Sequence, residues 1–216
     1  MAVYLARRVL SKQQFKMVAI IDYNAGNITS VKNALDRLGY NSIITSRHDE
    51  IMNADKVIFP GVGQASTAIR YLADKGLDKT IKSLTQPTLG ICLGLQLMCR
   101  HSQEGDVECL GIFDTDVKLF PPNDIVPHMG WNNISDLSSP LFKNINEDDS
   151  HYFIHSYFAG ICKYTIATCH YINSFSAAIQ KDNYYATQFH PEKSGDVGDK
   201  ILKTFLNFEY ENNSCH

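Results

Sequence analysis

The 216-residue chain has no C-x-x-C pair. Its six cysteines are scattered, so neither a disulfide framework nor zinc-ligand spacing is present. No apolar stretch approaches the ~20 residues that a membrane span requires. Charge of neither sign dominates: 20 basic and 23 acidic residues leave a net charge of −3, which argues against nucleic acid as the main partner. Internal repeats, low-complexity tracts and linkers are also missing, so the chain reads as one domain, long enough for a substantial core. The hydrophobic content of 44% and charged content of 20% are ordinary for a globular protein. Together these features point to a reduced, cytoplasmic protein without a membrane or nucleic-acid partner.

Residues 1–16 stand apart, with Arg7, Arg8, Lys12 and Lys16 and no acid. They fit a targeting presequence, although the continuous apolar core of a secretory signal is lacking. They also fit a short extension, or an upstream start, ahead of a domain over residues 17–210. The apolar strand run that opens at Met17 favours the extension.

From Met17 the chain alternates strand and helix. Met17–Ile21, Ser42–Thr45, Lys56–Phe59 and Thr88–Ile91 read as short strands. Ile28, Val31, Leu35 and Leu38 recur at helical spacing ahead of Gly39, a plausible residue just past a helix end. Ala68, Ile69 and Leu72 mark a second helix, Ile81 and Leu84 a third, and Leu95–Arg100 a further one. This alternation predicts an α/β fold with a parallel central sheet flanked by helices and right-handed crossovers. After about Gly105 the apolar runs become short and β-rich, which predicts an antiparallel β portion in the second half. Tyr184–Phe189 reads as one more strand, and Ile201, Leu202, Phe205, Leu206 and Phe208 as a closing amphipathic helix.

The most informative stretch is Gly90-Ile91-Cys92-Leu93-Gly94-Leu95-Gln96. A strand turning sharply into a helix at Cys92 forces that residue into a strained backbone conformation, and the flanking glycines leave room for the turn. The thiol then sits at a helix N-terminus, where the backbone N–H groups favour the thiolate. A cysteine after an apolar strand is more often a small buried hydrophobe, and the paired glycines tilt the balance toward a nucleophile. A thiolate needs a base, and the base needs an orienting group. His190 ends a strand as Cys92 does, and Glu192 follows two residues later past Pro191, which keeps the chain from continuing in helix. The Leu93 N–H is a natural donor to an oxyanion, and Val62 and Gly63, within Pro60-Gly61-Val62-Gly63, offer a second. Pro-Gly is equally a plain turn signal. His48, His101, His151, His170 and His216 read as surface or loop residues, and the remaining cysteines as packing residues or inert thiols.

Taken together, the stretch around Cys92 and the segment Phe189-His190-Pro191-Glu192-Lys193-Ser194 resemble the class I, triad-type glutamine amidotransferases, with their flavodoxin-like fold. Val126-Pro127-His128-Met129-Gly130-Trp131-Asn132 is similar to a signature of one branch, the glutaminase subunits of imidazole glycerol phosphate synthases. Asp22-Tyr23-Asn24-Ala25-Gly26-Asn27 and Phe153-Ile154-His155-Ser156-Tyr157 support the match, and the likeness runs from Met17 to about Phe208. It implies that Cys92 attacks the side-chain amide of glutamine, that His190 transfers protons and that Glu192 orients it. It implies substrate contacts at Gln96, Glu104, Ser156 and Tyr157. Glu104, which suits an α-ammonium, reads equally as a solvated loop acid. No cofactor or metal is implied. The implied partner is a synthase subunit, forming a heterodimer that takes up the ammonia, with Met129, Trp131, Tyr157 and Lys193 at or near the interface. Trp131, the single tryptophan, could instead plug the core. Asn24 departs from the glycine usual in the family, and asparagine tolerates the left-handed turn expected there.

A paralogous glutaminase that supplies a surface-sugar amidotransferase keeps the same motifs and stays open as an alternative. A pseudo-enzyme is disfavoured by the intact Cys92, His190 and Glu192. A cysteine peptidase is disfavoured by Gln96, Glu104 and the Pro-His-Met-Gly-Trp-Asn run.

Overall fold

A computed structural model of the chain describes residues 17–24 and 26–208. The basic segment 1–16, Cys215 and His216 lie outside the described residues. β1 (Val18–Ile21) turns into α1 (Ile28–Arg37). β2 (Ser42–Thr45), α2 (His48–Asn53), β3 (Lys56–Phe59), α3 (Ala65–Asp74), α4 (Leu77–Lys82), β4 (Thr88–Ile91) and α5 (Leu93–Met98) follow. Next come β5 (His101–Ser102), β6 (Val107–Glu108), β7 (Asp116–Leu119), β8 (His128–Asn133), β9 (Ser150–His155), β10 (Tyr157–Ala159), β11 (Thr165–His170), β12 (Ser174–Lys181), β13 (Tyr184–Thr187) and α6 (Gly195–Leu206).

Seven strands form the central sheet, in the order β11-β12-β13-β4-β3-β1-β2. The five from β13 to β2 run parallel, and β12 and β11 extend the sheet in antiparallel sense. Every residue of β1, β3 and β4 is buried. This follows from helices covering both faces, and it is why β1 reads as an unbroken apolar run and β3 and β4 as apolar runs after Lys56 and Thr88. Side chains alternate between the two layers. Val18, Ile20 and Ile58 join Val31, Leu35, Ile201 and Phe205 from α1 and α6. Ile21, Val57 and Phe59 join Ala65, Leu72, Leu77 and Ile81 from α3 and α4.

Around this sheet, β10-β7-β5-β6 form a small second sheet, and β8 pairs with β9 in an antiparallel ribbon. The expected antiparallel portion is therefore present, divided among the sheet edge, the small sheet and the ribbon. Gly39 follows the end of α1 with φ 80°, as a residue just past a helix should. Asn24 has φ 62°, so the departure from glycine is absorbed in a left-handed turn.

Several boundaries differ from the sequence reading. The helix expected over Leu95–Arg100 has the same length but starts and ends two residues earlier, at Leu93 and Met98. All six residues of α5 are buried, so it has no polar face whose period could reveal its ends. The helix marked by Ile81 and Leu84 ends at Lys82. The six-residue α2 buries only Ile51, too little to leave a periodic signal. His151, expected at the surface, is fully buried in β9, its ring 4.5 Å from that of Phe189.

Candidate active site

β4 and β13 are neighbours in the parallel part of the sheet, and Ile91 pairs with Thr187 at their carboxyl ends. Open α/β sheets bind ligands at these ends. The Cys92 N–H donates to the Thr187 carbonyl at 2.7 Å, so the two chain ends leave the sheet together. Cys92 has φ 53° and ψ −105°, a strained conformation for a residue with a Cβ. Space rather than backbone angle explains the flanking glycines. A Cβ at Gly94 would stand 1.9 Å from the Phe59 carbonyl oxygen, and one at Gly90 would stand 3.1 Å from the Gly94 backbone.

His190 and Glu192 arrive from β13. The His190 N–H donates to the Tyr152 carbonyl at 2.9 Å and fixes the backbone. Pro191–Lys193 form one turn of 3-10 helix, which brings Glu192 back onto the ring that precedes it. His190 Nδ1–H donates to Glu192 Oε1 at 2.7 Å, and the side chains of both are buried. The opposite ring nitrogen, Nε2, has no nitrogen or oxygen partner, and Cys92 is the group that acts on it. Burial alone would strip the ring of its proton. The charge and hydrogen bonding of Cys92, then those of Glu192, outweigh burial and hold His190 protonated up to about 10. Sulfur and carboxylate therefore act on the imidazole together, both favouring its protonated form.

Cys92 lines a cavity of about 270 Å³, while His190, which interacts with Cys92, is fully buried and not part of the cavity wall. Gln96, Glu104, Ser156 and Tyr157 line this cavity, as do Val62, Gly63 and Leu93. Gln96 is buried, and its Nε2 donates to the Tyr157 carbonyl at 2.9 Å. Glu104 Oε2 accepts from the Ala65 N–H at 2.8 Å, at the first residue of α3. Its partial burial raises its pKa, and this hydrogen bond opposes the rise. Glu104 is thus not the freely solvated loop acid of the alternative reading. The Leu93 N–H donates to the Gly61 carbonyl at 3.3 Å, so in this conformation it is already engaged.

Met129, Trp131 and Lys193 do not line the cavity. Met129 and Trp131 are each 59% exposed, so Trp131 does not plug the core; its ring packs edge-on against Tyr152 at 5.8 Å. Lys193 is also exposed.

Two polar groups at the site escape the sequence reading. The Asn27 amide donates to Glu192 Oε1. Gln188 Nε2 lies 3.6 Å from Cys92 Sγ, and Gln188 Oε1 accepts from Gln96. Asn27 lies in a recognisable turn cluster, but nothing local signals a contact made 165 residues away. No group of three or more metal-ligating side chains occurs among the described residues.

Residues 19–207 match the family model "Glutamine amidotransferase class-I". The chain belongs to the class-I glutamine amidotransferase family. Within it, the chain is 59% identical over 192 residues to the imidazole glycerol phosphate synthase subunit HisH of Bacteroides fragilis (strain YCH46), covering 88% of this chain and 98% of that one. It is 46% identical over 197 residues to HisH 1 of Vibrio vulnificus (strain YJ016), covering 88% and 97%. Among solved structures, PurLQS from Thermotoga maritima superposes with a TM-score of 0.66 at 15% identity, over 88% of this chain and 97% of that one. A glutamine amidotransferase from Thermotoga maritima gives 0.64 at 14% identity, over 89% and 96%. At such identities these two likenesses speak for the fold alone.

Proposed function

We propose that this chain is the glutaminase subunit of an imidazole glycerol phosphate synthase, with Cys92, His190 and Glu192 as its catalytic residues. The observation that carries the reading is the Cys92–His190–Glu192 unit beside a polar cavity large enough for a small amino acid. Cys92 Sγ attacks the side-chain amide carbon of glutamine. His190 gives its proton to the departing nitrogen, which leaves as ammonia, and a thioester remains. His190 then takes a proton from water, the hydroxide attacks the thioester, and glutamate is released with the thiolate restored. Glu192 keeps the Nδ1–H in place throughout. Glu104 suits the α-ammonium of glutamine; Gln96, Ser156 and Tyr157 complete the pocket.

Each tetrahedral intermediate needs donors at its oxyanion. We assign this role to the Leu93 N–H and the Val62–Gly63 backbone, which line the cavity. The Leu93 donor becomes free once the Gly61 carbonyl turns away, and we assign that turn to the docking of a liganded synthase subunit. Free ammonia would protonate in bulk water, so a docked partner gives the reaction its use. Met129, Trp131 and Lys193 offer the exposed aromatic and cationic surface for a heterodimer in the cytoplasm. Among the described residues, no helix is long and apolar enough to cross a membrane.

The test is glutamate release from glutamine, measured with and without a synthase subunit. Cys92→Ala should lower it by several orders of magnitude, while ammonia-dependent synthesis by the complex continues. Glutamine turnover that survives this substitution would end the reading. Turnover equally fast with and without liganded partner would remove the role given to the Gly61 peptide.

A further inference from the structure

Two histidines that the reaction above does not use form a hydrogen-bonded chain with a fixed direction. His155 Nδ1 lies 2.8 Å from the Tyr157 carbonyl oxygen. A carbonyl only accepts, so Nδ1 carries the hydrogen and Nε2 of the neutral ring is an acceptor. His128 Nδ1 lies 3.1 Å from that Nε2 and must donate to it. His128 Nε2 in turn faces the Asn132 amide nitrogen at 3.3 Å, which can only donate. Both rings therefore carry their hydrogen on Nδ1. A second proton on either would set two N–H groups against each other. Burial agrees, pushing His128 down to about 4 and His155 to about 3.

The pair connects two surfaces. Along β8 the side chains alternate, with His128 buried and Met129 and Trp131 exposed. The His128 ring is clamped between Tyr171 at 4.2 Å and Phe153 at 4.8 Å, both nearly parallel to it. At the other end, the Tyr157 carbonyl also accepts from Gln96 Nε2, in the wall of the cavity. Hydrogen bonds thus run without a gap from Asn132 on β8 to Gln96. Both nitrogens of His155 are spent in this chain, which leaves its ring no polar atom for a substrate.

We propose that His128 and His155 are positioning residues: the tautomer-locked pair holds the Tyr157 carbonyl, and through it Gln96, in place for glutamine, so that substrate affinity depends on how β8 is seated. The inference rests on the reading of the cavity as a glutamine site. The full-length wild-type chain, labelled with ¹⁵N at histidine, tests the chain of bonds directly. Two neutral rings with Nδ1–H are expected, and Nε2–H on either ring overturns the proposal without any variant. His128→Phe keeps the aromatic clamp and removes the donor. The KM for glutamine should rise between about twofold and thirtyfold, the range expected for a residue coupled to a site through a network, with kcat held within about threefold. His128→Asn, which keeps an N–H donor near the Nδ1 position, should recover part of the loss. A folded His128→Phe variant with an unchanged KM overturns the inference. If the wild type releases no glutamate, alone or with a synthase subunit, the glutaminase reading fails instead, and the tautomer result is unaffected.

Discussion

The Asn27 amide, in the turn after β1, donates to Glu192 Oε1, the same oxygen that holds His190 Nδ1–H. The other oxygen of that buried carboxylate has no partner. A buried charge with so few donors depends on each one, and a hydrogen bond to a charged group contributes about 1.5–3 kcal/mol. Asn27 also has φ 73°, where alanine would add strain of its own. Asn27→Gly removes the amide without that strain. It should lower kcat/KM by roughly tenfold to a hundredfold, corresponding to that energy range. Steady-state kinetics beside a melting curve check this, and unchanged kinetics would show that Asn27 does not support the carboxylate.

Gly94→Ala tests the packing of the turn that presents Cys92. The added Cβ would meet backbone, the Phe59 carbonyl oxygen at 1.9 Å, and backbone cannot swing aside as a side chain can. Overpacking of this kind costs about 1–3 kcal/mol, which at this size lowers Tm by several degrees. The displaced elbow should cost activity as well. Thermal unfolding and glutamate release, measured on one preparation, read both effects.

Acid stability follows from the neutral histidines. His151 is buried, and burial, opposed by the Asp149 backbone and charge, lowers its pKa to about 4; burial does the same to His128. Such rings are neutral in the fold and take up a proton near 6.5 once unfolded. Their stabilising effect is complete above that pH and is lost as pH falls toward 4, by about 1.4 kcal/mol per pH unit for each ring. His190 runs the other way. Its raised pKa stabilises the fold below 6.5, and that contribution fades as pH rises toward about 10. Urea midpoints taken between about pH 7 and 4.5 should therefore fall steadily. His151→Phe, which keeps the contact with Phe189, should flatten the slope by up to about 1.4 kcal/mol per pH unit. An unchanged slope would show that His151 is already charged in the fold.

The parts of the fold that the sequence discloses are those with local periodicity. β1 is an unbroken apolar run, β3 and β4 are apolar after Lys56 and Thr88, and α1 and α6 carry apolar residues at helical spacing. α2 escaped because it buries one residue, the ends of α5 because all six of its residues are buried, and β8 because its apolar Met129 and Trp131 face outward. The turn at Cys92 was legible for a related reason, since two glycines around a cysteine at a strand end are a local demand of sterics.

Residue order by itself determined the α/β alternation, the strained elbow at Cys92 and the His-Pro-Glu turn, because each depends on neighbours within a few positions. Tertiary structure alone decided what meets what: Asn27 on Glu192, Gln188 beside Cys92, His128 on His155, and the Gly61 carbonyl on the Leu93 N–H. Such contacts join segments that only the strand order brings together, and hydrogen bonding between distant polar groups leaves no periodic trace in either segment.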